Sequence, residues 1–322
     1  MNTDDLIIKY GINMGRRFTV KEKNFFCNEL GKDLQSMGYK VRGAVGKRKR
    51  TKGLNLMVGN VSKAKTIFVA HYDTLIHNFG NPMRYFPMDG SASFAASFPP
   101  MNTPLILAMV LGLVFILYSG DKINFEQNFG LSLFIVAVLI LLIIVSFIMT
   151  FKAGNKVNLN RNTSGVITAV LIAQRLPEAL RQDVAFVFTD GGSGSHIGDY
   201  MLREALPNTI KDRNVIVLDC VGKGQRLGIG YFEASRGNAE KLEAIVRKRD
   251  PQAKLNVAAI ADDRRKYTSV SYYEKGMVVC RGKNANGSLI VENTATKHDD
   301  EIEKEKMEQL ADDLIELAKQ IS

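Results

Sequence analysis

The stretch VAFVFTDGGSGSHIGDYML, residues 184–202, decides how the rest of the chain is read. Its first six residues, Val184–Thr189, are a short apolar run of the kind that forms a strand buried on both faces. A glycine-rich turn follows at once, with Asp190 before it and His196 after it. Thr66–His71 upstream, and Val215–Asp219 and Met277–Cys280 downstream, have the same character, and two more strand-like runs lie at 39–42 and 54–58. Between them the apolar spacing turns helical. Phe25, Phe26, Leu30, Leu34 and Met37 mark a helix over 20–37, and TSGVITAVLIAQRL (163–176) marks another, with Asn162 or Thr163 as its cap. Met307, Leu310, Leu314, Leu317 and Ile321 step by three and four through a tail helix over 299–322, whose first turn is acidic as the helix dipole prefers. Strands alternating with helices predict a three-layer α/β fold: a mixed, mostly parallel sheet with helices on both faces.

That pattern is interrupted once. Gly90–Gly120 carries no charged residue, and its second half, Met101–Ser119, is almost wholly apolar. A second uncharged run, Phe129–Phe151, follows after the polar turn GDKINFEQN. Crossing ~30 Å of hydrocarbon takes ~20 helical residues, so the pair reads as a transmembrane helical hairpin. The expected organisation is a first part of the α/β domain at 1–76, a linker at 77–100, the hairpin at 101–151 and the second part at 152–322. Arg84 precedes the hairpin and Lys152, Lys156 and Arg161 follow it, whereas the turn sets Lys122 against Asp121 and Glu126. Positive flanks stay cytoplasmic, so a cell-membrane protein with two spans and both soluble segments in the cytoplasm is expected.

The averages agree once they are divided. The 322 residues carry a net charge of +10 and are 46% hydrophobic, which excludes a disordered or low-complexity chain. Residues 1–65 hold 15 Lys and Arg against 5 Asp and Glu, while the remainder is balanced. The densest point is Lys47, Arg48, Lys49 and Arg50 with Lys52, a candidate contact for anionic lipid of the inner leaflet. No aromatic residues interleave this run and no recognition motif accompanies it, so nucleic acid is not an expected partner. Three scattered cysteines, Cys27, Cys220 and Cys280, exclude a disulfide framework and a cysteine zinc knuckle, and fit a reducing compartment. Charges throughout the first thirty residues leave no apolar core for a signal peptide.

Sites in such sheets gather at the carboxyl ends of strands. His71 and Asp73 in IFVAHYDTL, the NRNTSGV segment, the turn after Thr189, Asp219 in VIVLDCVG, and NTATKHDDEI (293–302) all fall there. A mixture of imidazole and carboxylate suggests zinc. In this order the segments resemble the zinc aminopeptidase family that includes the bacterial leucyl aminopeptidases and the transferrin-receptor ectodomain, the M-twenty-eight peptidases. AHYDT resembles the family's AHxD strand end, NRNTSGVITAVLIAQRL its DNxSGVAxxLExAR helix, and VFTDGGSGSHIG its DGEExGLxGS turn. VLDCVG resembles xxDMxG, and NTATKHDDEI the HTxxDTxDxI end.

The resemblance implies a zinc-exopeptidase fold and assigns two retained metal-ligand positions, His71 and Asp219, and one supporting acid of the catalytic machinery, Asp73. It also exposes losses. Arg161 stands at the bridging carboxylate, Gly192 at the general base, Ser193 at the acidic ligand beside it, and Asn293 at the last histidine. Zinc needs at least three protein ligands, and a guanidinium at the bridge repels a dication, so zinc is not expected in the two-metal manner. Arg161 is instead expected to pair with Asp73 or Asp219. Asp190, His196 and His298, with His77, are the side chains near enough in sequence to rebuild a mononuclear site. Three readings follow: an impaired peptidase that binds a peptide or protein in its cleft, a metallo-aminopeptidase or amidohydrolase with a rebuilt zinc site, and an anionic-lipid-binding scaffold. The hairpin sits between two site segments, so Phe86, Phe94 and Phe98 of the linker are expected at the cleft mouth.

Overall fold

The computed structural model describes residues 1–78, 83–151, 154–285 and 288–322; Lys152 and linker residues 79–82 lie outside the described residues. In chain order its elements are α1 (Thr3–Leu6), α2 (Val20–Ser36), β1 (Val41–Arg48), β2 (Thr51–Val58), β3 (Thr66–His71), β4 (Met83–Tyr85), α3 (Gly90–Ser119), α4 (Phe129–Phe151), α5 (Ser164–Arg175) and β5 (Val184–Thr189). There follow α6 (Ile197–Ala205), β6 (Asn214–Leu218), β7 (Arg226–Tyr231), α7 (Arg236–Arg249), β8 (Leu255–Ala259), α8 (Asp262–Arg265), β9 (Gly276–Ala285), β10 (Ser288–Thr294) and α9 (Lys304–Ile321).

The apolar runs form the centre of the sheet. β5, β3, β6 and β9 lie side by side and parallel, with Ala70 opposite Phe188 on one flank and Leu218 on the other. Both faces of β3 and β5 are covered, and their residues alternate between two cores as the strand period requires. Phe68, Ala70, Phe186 and Phe188 pack with Leu30 and Leu34 of α2, Val166 and Val170 of α5 and Leu310 and Leu314 of α9. Ile67, Val69, Ala185 and Val187 pack on the opposite side with Leu202 of α6 and Tyr273. This is the expected three-layer α/β fold.

The edges are antiparallel. The β1–β2 hairpin joins through β2 and β5, and its ladder runs on to Lys47↔Lys52 and Arg48↔Thr51, beyond the apolar residues that signal it. Backbone hydrogen bonds and contacts of Arg48 with Tyr200 and Tyr272 carry that extension, and Lys47, Arg48, Lys49, Arg50 and Lys52 stay exposed at the tip. At the other edge β7 pairs with β9 and β8, and β10 links β9 to β4. β7 escapes sequence reading because its side chains are interrupted by Gly228 and Gly230; a Cβ at Gly228 would lie 2.7 Å from Leu289 and 2.9 Å from the Cys280 sulfur.

α3 and α4 pack against each other, joined by the short turn at 120–128. Both are long and apolar enough to cross a membrane, and only 6% and 17% of their most apolar windows are buried, so they are not core helices. α3 begins at Gly90 and runs through Pro99, Pro100 and Pro104, so residues read as linker are already helical.

One side chain fastens the site-bearing segments to this frame. Arg17 has no exposed surface. Its Nε donates to the Tyr72 carbonyl at 2.5 Å, Nη1 to the carbonyls of Tyr10 and Met14 at 2.8 Å, and Nη2 to the Thr163 hydroxyl at 2.8 Å. The expected Thr163 cap on α5 is absent, because the Thr163 backbone is already helical rather than extended; its hydroxyl accepts from Arg17. Burial pulls the Arg17 pKa down to about 10, which leaves it charged at neutral pH. Arg17→Met leaves four buried acceptors without donors and is expected to lower stability by about 2–4 kcal/mol, part of the loss being offset because a buried charge is also removed. Denaturant unfolding of the purified chain in detergent measures this.

Candidate functional site

The carboxyl ends of β3, β5 and β6 deliver His71 to Asp73, Asp190 with its glycine-rich turn, and Asp219 with Cys220. The segment before α5 brings Asn160 to Thr163 against them, with a cis peptide bond between Arg161 and Asn162. Asp73 takes the turn's free amides: Gly192 N donates to Oδ1 at 2.8 Å and Ser193 N to Oδ2 at 3.2 Å. Its main-chain carbonyl accepts from Asn162 Nδ2 at 2.7 Å. These amides are therefore committed to a carboxylate of the protein itself.

Arg161 does not form the expected ion pair. No carboxylate among the described residues lies within ion-pair distance of it, and Tyr85 of β4 stands in that role. The Arg161 guanidinium carbon lies 3.4 Å from the centre of the Tyr85 ring, and the Tyr85 hydroxyl donates to Asp219 Oδ2. Asp219 Oδ1 accepts from Cys220 Sγ at 3.2 Å. Arg161 is buried, with its Nε unpartnered. Burial works against its charge, but Tyr85, Asp219, Cys220 and Asp73 outweigh that and raise its pKa, so it stays cationic.

His71 turns away from Asp219. A Cβ at position 192 would sit 2.0 Å from His71 Cγ, so the ring occupies space that opens only because residue 192 is glycine. The ring reaches the Thr189 hydroxyl at 2.7 Å and the Ser269 hydroxyl at 2.5 Å. Ligand atoms of His71, His196 and Asp199 lie within 4.8 Å of one another, which makes these three buried side chains a group able to hold a metal ion. With Arg161 at the bridge and His71 grouped away from Asp219, the residues present do not fit a two-zinc centre.

Of the other candidates, only His196 joins His71. Asp190 pairs with Lys23 at 2.6 Å and is raised in pKa, chiefly by burial and then by Asp73. His77 bonds Asn155 at 2.8 Å. His298 is exposed and shares a separate hollow with Asn293, Asn160 and Asp299. Sequence reasoning missed Tyr85, Asp199, Ser269 and Asp299. Asp199 was findable, since it lies three residues beyond His196 on the start of a helix and so on the same face. Tyr85 and Ser269 carry no local signal and arrive through tertiary structure.

The cleft is roofed by the insertion. A cavity of about 90 Å³ lies among Tyr85, Phe94, Arg161, Gly192, His196 and Tyr267, with the first turns of α3 along one side. Phe94 stacks on Tyr267 with ring centres 4.9 Å apart, whereas Phe98 is largely exposed. Asp89 caps α3 through Ala92 N at 2.8 Å, and Gly90 allows the helix to meet the chain at Lys266, whose carbonyl would lie 2.0 Å from a Cβ there.

The fold has solved counterparts. The chain is similar to a glutaminyl cyclase of Porphyromonas gingivalis (TM-score 0.60, 13% identity, 99% of this chain and 98% of that one). It is equally similar to a Zn-dependent exopeptidase of Parabacteroides distasonis (TM-score 0.60, 13% identity, 98% and 97%). A leucine aminopeptidase precursor of Bacteroides thetaiotaomicron follows (TM-score 0.56, 13% identity, 98% and 96%). No family model matches the sequence, and no curated protein matches it either. At this identity the likeness establishes the fold, that of zinc-dependent exopeptidases and glutaminyl cyclases.

Asp299 makes one property of the site testable. Its carboxylate accepts from the amides of Asn160 at 3.0 Å and Arg161 at 3.2 Å, yet burial pushes its pKa up to about 7. The unfolded value is about 4, so between about pH 4 and 7 the native state holds a proton that the unfolded chain has released. The stability Asp299 contributes is therefore complete below about pH 4 and lost as pH rises through about 7. Melting curves of wild type and Asp299→Asn from pH 5 to 8 check this: wild type should lose stability relative to the variant with rising pH.

Proposed function

We propose that this chain is a membrane-anchored, cytoplasm-facing protein with a zinc-exopeptidase fold that no longer hydrolyses peptides and acts by binding a peptide or protein segment in its cleft. The observation that carries this reading is the placement of His71 over Gly192, in space that a general base at that position needs. Arg161 on Tyr85 and Tyr85 on Asp219 support it, because a fixed cation and a phenol occupy the approach to the retained acid. The grouping of His71 with His196 and Asp199 favours one alternative, a rebuilt mononuclear zinc hydrolase. Incubated with zinc, the purified full chain is expected to release no product above background from aminoacyl-nitroanilides or from peptides with N-terminal glutamine. Gly192→Glu is expected to be equally inert, since its Cβ collides with His71. Chelator-sensitive turnover abolished by His71→Ala establishes the alternative instead.

The anchoring rests on α3 and α4 and on the basic flanks Arg84 and Lys156. The exposed β1–β2 tip adds to it: Arg48 lies 4.5 Å from the Tyr200 ring and 3.3 Å from the Tyr272 hydroxyl, close along the chain to the Tyr267 that supports α3. The tip and the root of α3 thus share one end of the sheet, where anionic headgroups attract each basic residue by about 1 kcal/mol. The three native cysteines are buried, so introduced ones report alone. A membrane-impermeant maleimide is expected to label Lys49→Cys only from the cytoplasmic side and Lys122→Cys only from the opposite side.

A further inference from the structure

Three buried side chains beside the cleft each turn one atom toward a common point and have their other polar atom engaged. His71 Nδ1 meets the Thr189 hydroxyl at 2.7 Å, His196 Nε2 meets the Tyr267 carbonyl at 3.1 Å, and Asp199 Oδ1 accepts from the Tyr273 hydroxyl at 2.8 Å. A carbonyl has no proton to give, so His196 carries its proton on Nε2, and in a neutral ring Nδ1 is a bare lone pair. That lone pair faces Asp199 Oδ2 at 3.2 Å. His71 Nε2 stands 3.9 Å from the same oxygen, and the Ser269 hydroxyl lies 2.5 Å from His71 Nε2 and 3.2 Å from His196 Nδ1. Two acceptors face each other, and a single hydroxyl proton cannot serve both. Something positive, a proton or a metal ion, belongs between them.

We propose that His71, His196 and Asp199 bind one divalent transition-metal ion, zinc by donor set, in a three-residue site beside the Ser269 hydroxyl. The spacings of the protein's two histidines about Asp199 suit it: a tetrahedron with ~2.1 Å bonds has edges of about 3.4 Å, and the inward pairs at 3.2 and 3.9 Å bracket that length, while the Ser269 hydroxyl, 2.5 Å from His71 Nε2, is too close to be a ligand beside it without moving outward. The outer partners suit it as well, because metal-bound imidazoles characteristically donate their second N–H to a carbonyl or similar acceptor, which fixes the ring. The site takes one position of the peptidase pattern, His71, and leaves Asp219 and Asn293 out. The ion ties the end of β3, the glycine-rich turn and α6 to the segment that bears Tyr267, and through Phe94 on Tyr267 it braces the root of α3. This inference does not depend on whether the cleft hydrolyses peptides, and its test reads metal rather than turnover.

The test uses the full chain, purified in detergent, stripped with chelator and titrated with Co²⁺. Wild type is expected to take up one equivalent with the intense visible bands of a four-coordinate ion, and to surrender it to Zn²⁺. His196→Ala and Asp199→Asn should abolish this uptake, and Tyr273→Phe should weaken it by about 10- to 100-fold. Asp219→Asn should leave it unchanged. Ser269→Cys keeps all three ligands and adds a thiolate, so a sulfur-to-cobalt charge-transfer band should appear; this outcome stands even where His196→Ala fails to fold. Absence of uptake by wild type, retention by both ligand variants when folded, or loss in Asp219→Asn overturns the proposal.

Discussion

A buried guanidinium held over the face of a phenol ring governs this cleft. Arg161 is held over Tyr85, and a desolvated contact of that kind is worth about 2 kcal/mol or more. Tyr85 in turn bonds Asp219, and its strand, β4, pairs with β10. β4 belongs to the same insertion that continues into α3. One segment therefore carries the two long apolar helices, supplies the ring that stands between Arg161 and Asp219, and roofs the cavity with Phe94. The apolar hairpin and the site are parts of one arrangement.

The electrostatics of the glycine-rich turn follow from that arrangement. In the peptidase pattern the turn presents carboxylates to metal. Here Gly192 and Ser193 present backbone amides, and Asp73 accepts both. A glutamate placed at 192 would stand near Asp73 as a like charge, and its Cβ would collide with His71. Arg161 supplies positive charge near Asp73 and Asp219 where metal otherwise does. The buried acids are thus compensated by amides, a phenol and a guanidinium, and His71 is free to join His196 and Asp199.

Much of this was legible in the sequence, for stated physical reasons. β3 and β5 were readable because strands buried on both faces must be apolar throughout, α5 because residues 164–173 are all buried and mostly apolar, and α9 because one face meets the core. The hairpin helices announced themselves because each is a long apolar run without charge. β7 and β4 were not readable, the first because close packing at Gly228 and Gly230 removes its side-chain signal, the second because three residues give no period. In the site, the residue types at 161, 192, 193 and 293 could be compared by position with the peptidase pattern. The partners chosen by the residues left behind could not.

By itself the sequence determined the α/β layering, the apolar hairpin, the concentration of basic charge at 47–52, and which chemical groups remain at each strand end. Those properties follow from local periodicity and residue type. Only the tertiary structure decided that Arg161 meets Tyr85 rather than a carboxylate, and that His71 groups with Asp199 rather than Asp219. It also decided that Arg17 binds Tyr10, Tyr72 and Thr163 at once. The reason is the same in each case: most of the partners lie tens of residues or more apart in the chain, Tyr10 and Arg17 excepted, and which acceptor a buried cation or imidazole finds depends on the space its neighbours leave, which no local pattern records.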